Sequence, residues 1–400
     1  MRIAIDATSV PNQRLGAGTY IYNLVRALAQ LENDDRYFVF AKPETFAGCP
    51  ELPPEAGPPP VGAEGPAASR FRLVPVRLPW RLARMAWEQA VLPWQLHRLN
   101  VDVLHSPHYT TTAVGGRWRR VVTFHDVTFF LLPERYPALR RAYFRAASRA
   151  GARLCDLAIA VSKTVKADVE RYLRLAPERV RAVPLAAAPS YRPLDDPPRM
   201  AAVRAKYSLP DRFVLNVGAL EPGKNHATLL RAFRRLKGGG LSTNSRQRAE
   251  HKLVIAGPPA WRYERLLRLV DKLGLRDQVR FLGYVPAEDL VALYNLADLF
   301  VFPSLYEGFG LPPLEAMASG LPVVASAAPA LREVLDGAAL LVQPQDVVRL
   351  AEAMAVALGD EALRSRLREA GLARAALFSW ERTARETAAV YEEAAGRWEA

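Results

Sequence analysis

Short apolar runs alternate with stretches of helical periodicity along almost the whole chain, and the alternation pauses once and starts again. RIAIDAT (2–8), YFVFAK (37–42), FRLVPVRL (71–78), VDVLHSP (101–107), RVVTFHD (120–126), CDLAIAVS (155–162) and RVRAVPLA (179–186) read as strands. After a proline-bearing stretch at 187–200, RFVLNVGAL, KLVIAG, VRFLGYV, DLFVFPS, LPVVAS and ALLVQP repeat the pattern. Nearly continuous apolar strands separated by helices predict parallel sheets covered on both faces. The expected fold is therefore α/β, with one domain over 1–190 and a second over 200–378. The stretch at 187–200 reads as the linker between them. A final helix within 380–400, with no strand after it, is expected to pack back onto the first domain.

The richest chemistry lies at 298–326, DLFVFPSLYEGFGLPPLEAMASGLPVVAS. Here a buried strand leads through a glycine-bearing turn into a short helix and a second strand. Glu307 closes the loop after the strand, and Glu315 lies about one turn into a helix that Pro312 and Pro313 can start. Gly308 and Gly310 free the backbone for close approach to a ligand. A helix N-terminus presents unpaired N–H groups to an anion. Two carboxylates flanking an anion-binding turn suit a nucleotide sugar: one accepts hydroxyls of the ribose, the other of the sugar, while the turn holds phosphate.

The first half opens in a comparable way, with a strand, a loop containing Gly16 and Gly18, and a helix from Thr19. The third glycine of a dinucleotide fingerprint is absent, and the next strand ends at Lys42, where an acid would bind ribose. NAD is therefore not indicated; approach to another diphosphate, or a tight turn, remains. His105, His108, His125 and Asp126 sit near strand ends but lack HExxH or a comparable ligand spacing, so no metal is expected. His125 reads as a hydrogen-bonding residue facing the cleft. Ser162 is placed to cap the helix that follows it.

Composition narrows the class. The net charge is +13, with 27 basic against 17 acidic residues over 1–195 and 27 against 24 over the remainder. Zinc-finger spacing, an RNP-type aromatic segment and dense Lys/Arg runs are all missing, which argues against nucleic acid. WRLARMAWEQAVLPWQLHRL has helical periodicity, interrupted by Pro93. It reads either as a basic amphipathic surface touching membrane or as a helix packed on the sheet. No run approaches the ~18 apolar residues of a spanning helix, and the chain opens on a strand with no signal-peptide pattern. Two cysteines without a CxxC pair suit a reducing cytoplasm. Residues 43–69 and GGGLSTNSRQRAEH read as loop insertions.

Several segments in order resemble glycosyltransferase family 4, retaining enzymes of the GT-B architecture. They are the Gly16–Gly18 loop, VTFHDVTFF, AVSKTVKADVERY, LNVGALEPGKN, EGFGLPPLE and FSWERTARETAAVYE. The most specific is the Glu307/Glu315 pair, similar to the family's Glu-x7-Glu motif. The resemblance implies two facing Rossmann-like domains, donor mainly on the second and acceptor mainly on the first. It implies that Glu315 accepts ribose hydroxyls, and that Glu307 with the backbone of Phe309, Gly310 and Leu311 holds the sugar and phosphate. It further implies that Lys224 neutralises the diphosphate with Gly16 and Gly18 near it, that His125 touches the donor sugar, and that the loop at Tyr284 and Val285 meets the base. Many relatives carry an arginine beside the lysine; Ala219 and Gly223 stand there, leaving Lys224 to carry the phosphate charge alone or Arg262 or Arg14 to supply a second cation.

The absence of an Asp-x-Asp motif agrees with a metal-independent transferase needing no cofactor. The HDVTFFLLPERYP segment and EPGKN turn look most like bacterial mannosyltransferases, implying GDP-mannose, with UDP-glucose still open. The implied acceptor is a growing or lipid-linked glycan, and the implied location is cytoplasmic, at times peripheral to the inner membrane face. Rival readings are a nucleotide-sugar 2-epimerase on similar domains and a non-catalytic sugar-nucleotide-binding protein.

Overall fold

The computed structural model describes residues 1–10, 16–46, 49, 70–78, 81–238 and 250–396. The chain divides into two compact units, Met1–Leu185 with Ser379–Ala400, and Ala186–Phe378. Each is built on one parallel sheet.

In the first unit the strands are β1 (Arg2–Asp6), β2 (Arg36–Ala41), β3 (Phe71–Pro75), β4 (Val103–Ser106), β5 (Arg119–Phe124), β6 (Leu157–Ala160) and β7 (Val180–Ala182). They lie in the order β3-β2-β1-β4-β5-β6-β7. The second unit orders β8 (Phe213–Val217), β9 (Lys252–Ala256), β10 (Val279–Gly283), β11 (Leu299–Phe302), β12 (Val323–Ser326) and β13 (Leu340–Val342) as β10-β9-β8-β11-β12-β13. Both sheets wind outward from their first strand and then reverse past it. The reversal opens a crevice at the carboxyl ends of β1 and β4, and of β8 and β11, where such sheets bind ligands. Central strands such as β4, β6, β11 and β12 are buried along their whole length, which is why they read as unbroken apolar runs.

Three features differ from the sequence expectation. The segment after residue 186 is no free linker. Tyr191 packs edge-on against Tyr294, the Asn295 side chain bonds both Leu194 N and Arg192 O, and Asp196 caps the helix Pro197–Lys206. The second unit thus begins at Ala186, ahead of residue 200, because these contacts bury the segment against it. Pro93 does not interrupt its helix, which runs from Arg81 to Arg98. Trp87, Leu92 and Leu96 anchor that helix in the core, and their burial outweighs the one lost backbone bond. The first helix begins at Ala17, two residues before Thr19. Most of the two loop insertions lies outside the described residues.

The last helix, Trp380–Ala394, belongs to the first unit. Ser379 caps it, Thr383 Oγ1 donates to Pro184 O at 2.7 Å, and Arg181 pairs with Glu393. Its buried face, including Trp380, Ala384, Val390 and Tyr391, packs on the helix Ala17–Gln30 and on β5 and β6.

Candidate functional site: the carboxyl ends of the two sheets

In the second unit the loop after β11 is stitched to the Pro222–Lys224 turn after β8. Asn225 Nδ2 donates to Pro303 O (3.0 Å) and Leu305 N to Gly223 O (2.9 Å), and Ser304 Oγ lies 3.0 Å from Gly223 O. This cross-bracing carries Lys224 and Glu307 into contact: Lys224 Nζ donates to Glu307 Oε1 at 2.7 Å. Ser304 Oγ donates to the same oxygen, and Oε2 carries no protein hydrogen bond among the described residues. The ammonium also lies 5.4 Å from the Phe302 ring centroid.

Gly310 caps the helix Leu311–Ala318 with φ 110°. The backbone there demands glycine, and a Cβ would also stand 2.5 Å from Leu331 Cδ2, forcing that side chain to shift. Pro312 and Pro313 carry no N–H, so the first turn offers an anion the amides of Gly310 and Leu311. The Phe309 side chain is buried edge-on against Phe378, leaving its backbone to face the turn.

Glu315 is 6% exposed, and its Oε2 accepts from Tyr294 OH at 3.0 Å. Burial pushes its carboxyl up to about 7, although the Tyr294 bond acts to lower it. Tyr191 lies close enough to Glu315 and Tyr284 for both to raise its hydroxyl, after burial. Neither Tyr191 nor Tyr294 was singled out from sequence. Their apolar surroundings hide them, and only proximity to a buried carboxylate marks them. Gly283 (φ 70°) ends β10 and turns the chain at Tyr284, which is half-buried; Val285 is buried and offers mainly backbone. Arg262 is an αL residue stacked on Trp261 at 3.9 Å. It makes no contact with Lys224 or Glu307 among the described residues, and Arg14 lies outside them.

In the first unit His125 follows β5. Its Nε2 lies 3.0 Å from Pro107 O, and since a carbonyl only accepts, Nε2 carries the proton. Its ring meets Tyr20 in a T-shaped contact at 4.9 Å. Burial lowers its pKa, although the Pro107 and Asp126 contacts oppose this, so the ring is neutral and Nδ1 can accept. Gly16 (φ 50°) caps the helix Ala17–Gln30, and Gly18 is buried in its first turn. The four polar residues weighed for a metal do not converge. His105 bonds Tyr391 and Thr123, and Asp126 accepts from Thr128 N.

A different trio does converge: ligand atoms of Asp6, Glu88 and His108 lie within 4.8 Å of one another. Arg84 Nη1 sits among them, 2.8 Å from Glu88 Oε2, 3.1 Å from His108 Nε2 and 3.8 Å from Asp6 Oδ2. Burial would raise the Asp6 carboxyl, yet His108, Arg84 and the Thr8 hydroxyl hold it at about 2. The cation in this cluster is the guanidinium.

A family model for group 1 glycosyl transferases matches residues 202–374, and one for glycosyltransferase family 4 matches 15–189. The serotype-specific mannosyltransferase WbdA of Escherichia coli is 37% identical over 287 residues, 70% of this chain and 34% of that protein. The chain thus spans about a third of WbdA. The O-antigen chain mannosyltransferase B of Escherichia coli is 35% identical over 300 residues, 75% of this chain and 76% of that one. A sucrose-phosphate synthase from Thermosynechococcus elongatus superposes with a TM-score of 0.74 at 22% identity, over 98% of both chains. Two matched models and a relative aligned over three quarters of each chain leave one assignment: the chain belongs to glycosyltransferase family 4, with the GT-B fold.

Proposed function

We propose that the protein is a retaining, metal-independent mannosyltransferase that moves mannose from GDP-mannose to a growing or lipid-linked glycan. The observation that carries this reading is the Lys224–Glu307 pair, braced beside the Gly310–Leu311 amides. It supplies a cation for a diphosphate, a carboxylate oxygen for a sugar hydroxyl, and N–H groups for phosphate. Glu315, an acceptor for ribose hydroxyls, follows one turn later. The names of the aligned relatives favour mannose.

Bond breaking at the anomeric carbon leaves a nucleoside diphosphate, whose growing negative charge Lys224 and the helix amides meet. The acceptor hydroxyl attacks the same face, and its proton passes to the departing phosphate oxygen. No protein nucleophile is consumed. His125, neutral with Nδ1 able to accept, orients the sugar.

Incubating the protein with GDP-mannose, UDP-glucose and candidate glycan acceptors tests the reading. Transfer of mannose with retained anomeric configuration, undiminished by a chelator, supports it. Conversion of the donor without acceptor points to an epimerase and overturns it.

We also propose transient contact of the first unit with anionic membrane. No helix among the described residues is long and apolar enough to cross a bilayer. The helix Arg81–Arg98 exposes Val91 and Trp94, with Arg98 over the Trp94 ring. The adjacent helix Ala138–Leu154 exposes Leu139 (85%) and carries five arginines and no acid. Tyr143 OH to Met85 Sδ, at 3.6 Å, joins the two helices. Salt-sensitive co-sedimentation with anionic but not zwitterionic vesicles is expected.

A further inference from the structure

A buried polar chain runs through the core of the first unit and ends against His125. It starts on the last helix, where Tyr391 OH lies 2.7 Å from His105 Nδ1. His105 Nε2 lies 2.8 Å from Thr123 Oγ1, which in turn lies 3.1 Å from Tyr20 OH. The Tyr20 ring then makes the T-shaped contact with His125 and leans on Trp380, the first residue of the last helix, at 6.3 Å. Tyr391, His105 and Thr123 are fully buried and Tyr20 is 1% exposed.

The proton count makes this chain directional. Burial, with His108 and His125 nearby, holds His105 at about 3, so it is neutral, with one N–H and one lone pair. The two contacts of His105 are coupled, because the neutral ring donates from one nitrogen and accepts at the other. Either Tyr391 donates to Nδ1 and Nε2–H donates to Thr123, or Nδ1–H donates to Tyr391 and Thr123 donates to Nε2. Taking out one hydroxyl leaves a buried nitrogen or oxygen unpaired, which the surrounding core cannot rehydrate. The segment after His105 matters too, because Pro107 O accepts from His125 Nε2. The His125 ring is therefore clamped from two sides, by Tyr20 and by Pro107, and His105 is linked to both. Tyr20 also lies on the helix that carries Gly16 and Gly18 at its start.

We propose that Tyr391 is a positioning residue for His125: the last helix sets the orientation of its imidazole through His105, Thr123 and Tyr20. The return of the chain to its first unit after residue 378 then serves to hold His125, in addition to covering that unit's core. This inference rests on the reading of His125 as a group that orients the donor sugar.

The experiment uses the full chain. Tyr391→Phe keeps the ring and removes the hydroxyl; Thr123→Val breaks the next link, and Thr123→Ser restores its hydroxyl. Tyr391→Phe and Thr123→Val are expected to lower kcat roughly ten- to a hundredfold, the scale of a small misplacement. KM for the donor should change little, and Thr123→Ser should recover most of the loss. Nitrogen chemical shifts of His125 are the direct readout: the wild type shows a neutral ring protonated at Nε2, and Tyr391→Phe shifts or broadens that signal. An unchanged His125 signal in folded Tyr391→Phe and Thr123→Val proteins overturns the proposal. A moved signal with His125→Ala itself fully active keeps the positioning chain and rejects the role assigned to His125.

Discussion

Lys224 Nζ and Glu307 Oε1 lie 2.7 Å apart, although 83 positions separate them in the sequence. The pair is about four-fifths or more buried on each side, so neither charge is left to water alone. An arriving diphosphate must share the ammonium with Glu307, and a sugar hydroxyl can take the carboxylate's open oxygen. Lys224→Ala is expected to lower kcat/KM by about 1.5–3 kcal/mol, roughly 10- to 150-fold. Glu307→Ala should act mainly on kcat. Steady-state kinetics with the donor varied checks both, and near-normal turnover by Lys224→Ala removes that residue from the mechanism.

Glu315 should link nucleotide binding to pH. Its carboxyl is raised from an ordinary 4.5 to about 7, so the folded chain holds a proton that the unfolded chain has released. The stability this provides is full below pH 4.5 and is lost as pH rises through 7, amounting to of order 3 kcal/mol. Ribose hydroxyls favour the ionised form, so binding should release up to one proton near pH 6–7, and affinity should rise with pH across that range. Calorimetry in two buffers of different ionisation enthalpy measures the proton. Glu315→Gln should abolish the release, and melting curves of this variant should fall less than wild type between pH 5 and 8.

Tyr294→Phe separates the two influences on that carboxyl. Losing the hydrogen bond at Oε2 should push Glu315 further up and move the pH dependence of nucleotide affinity to the alkaline side. A titration series from pH 6 to 9 reads this shift; an unshifted curve means the phenol does not reach Glu315 in solution.

Gly310→Ala should weaken nucleotide binding and stability together. Its φ of 110° strains any L side chain, and a methyl group 2.5 Å from Leu331 Cδ2 would make that side chain shift. A loss of about 1–3 kcal/mol is expected for forcing that conformation. Thermal unfolding with and without nucleotide distinguishes a strained loop from a lost anion site.

Local sequence determined a good deal by itself. Strand and helix periods recur over short windows, so two parallel-sheet units followed from runs such as LFVF and KLVIA. The turn at EGFGLPPLE was equally legible, because glycine and proline chemistry acts on their own backbone. Ser162 accepts from Val165 N at 3.0 Å, a cap the sequence already marked.

Tertiary structure decided whatever depends on residues far apart in the chain. Periodicity cannot say that Lys224 meets Glu307, that Tyr191 and Tyr294 crowd Glu315, or that Tyr391 reaches His105. It also misread 187–200 and Pro93, where burial against distant side chains overrides the local breaker signal. Charge pairing and desolvation are set by three-dimensional neighbours, so each unit's chemistry emerged only once its fold brought loops distant in sequence together.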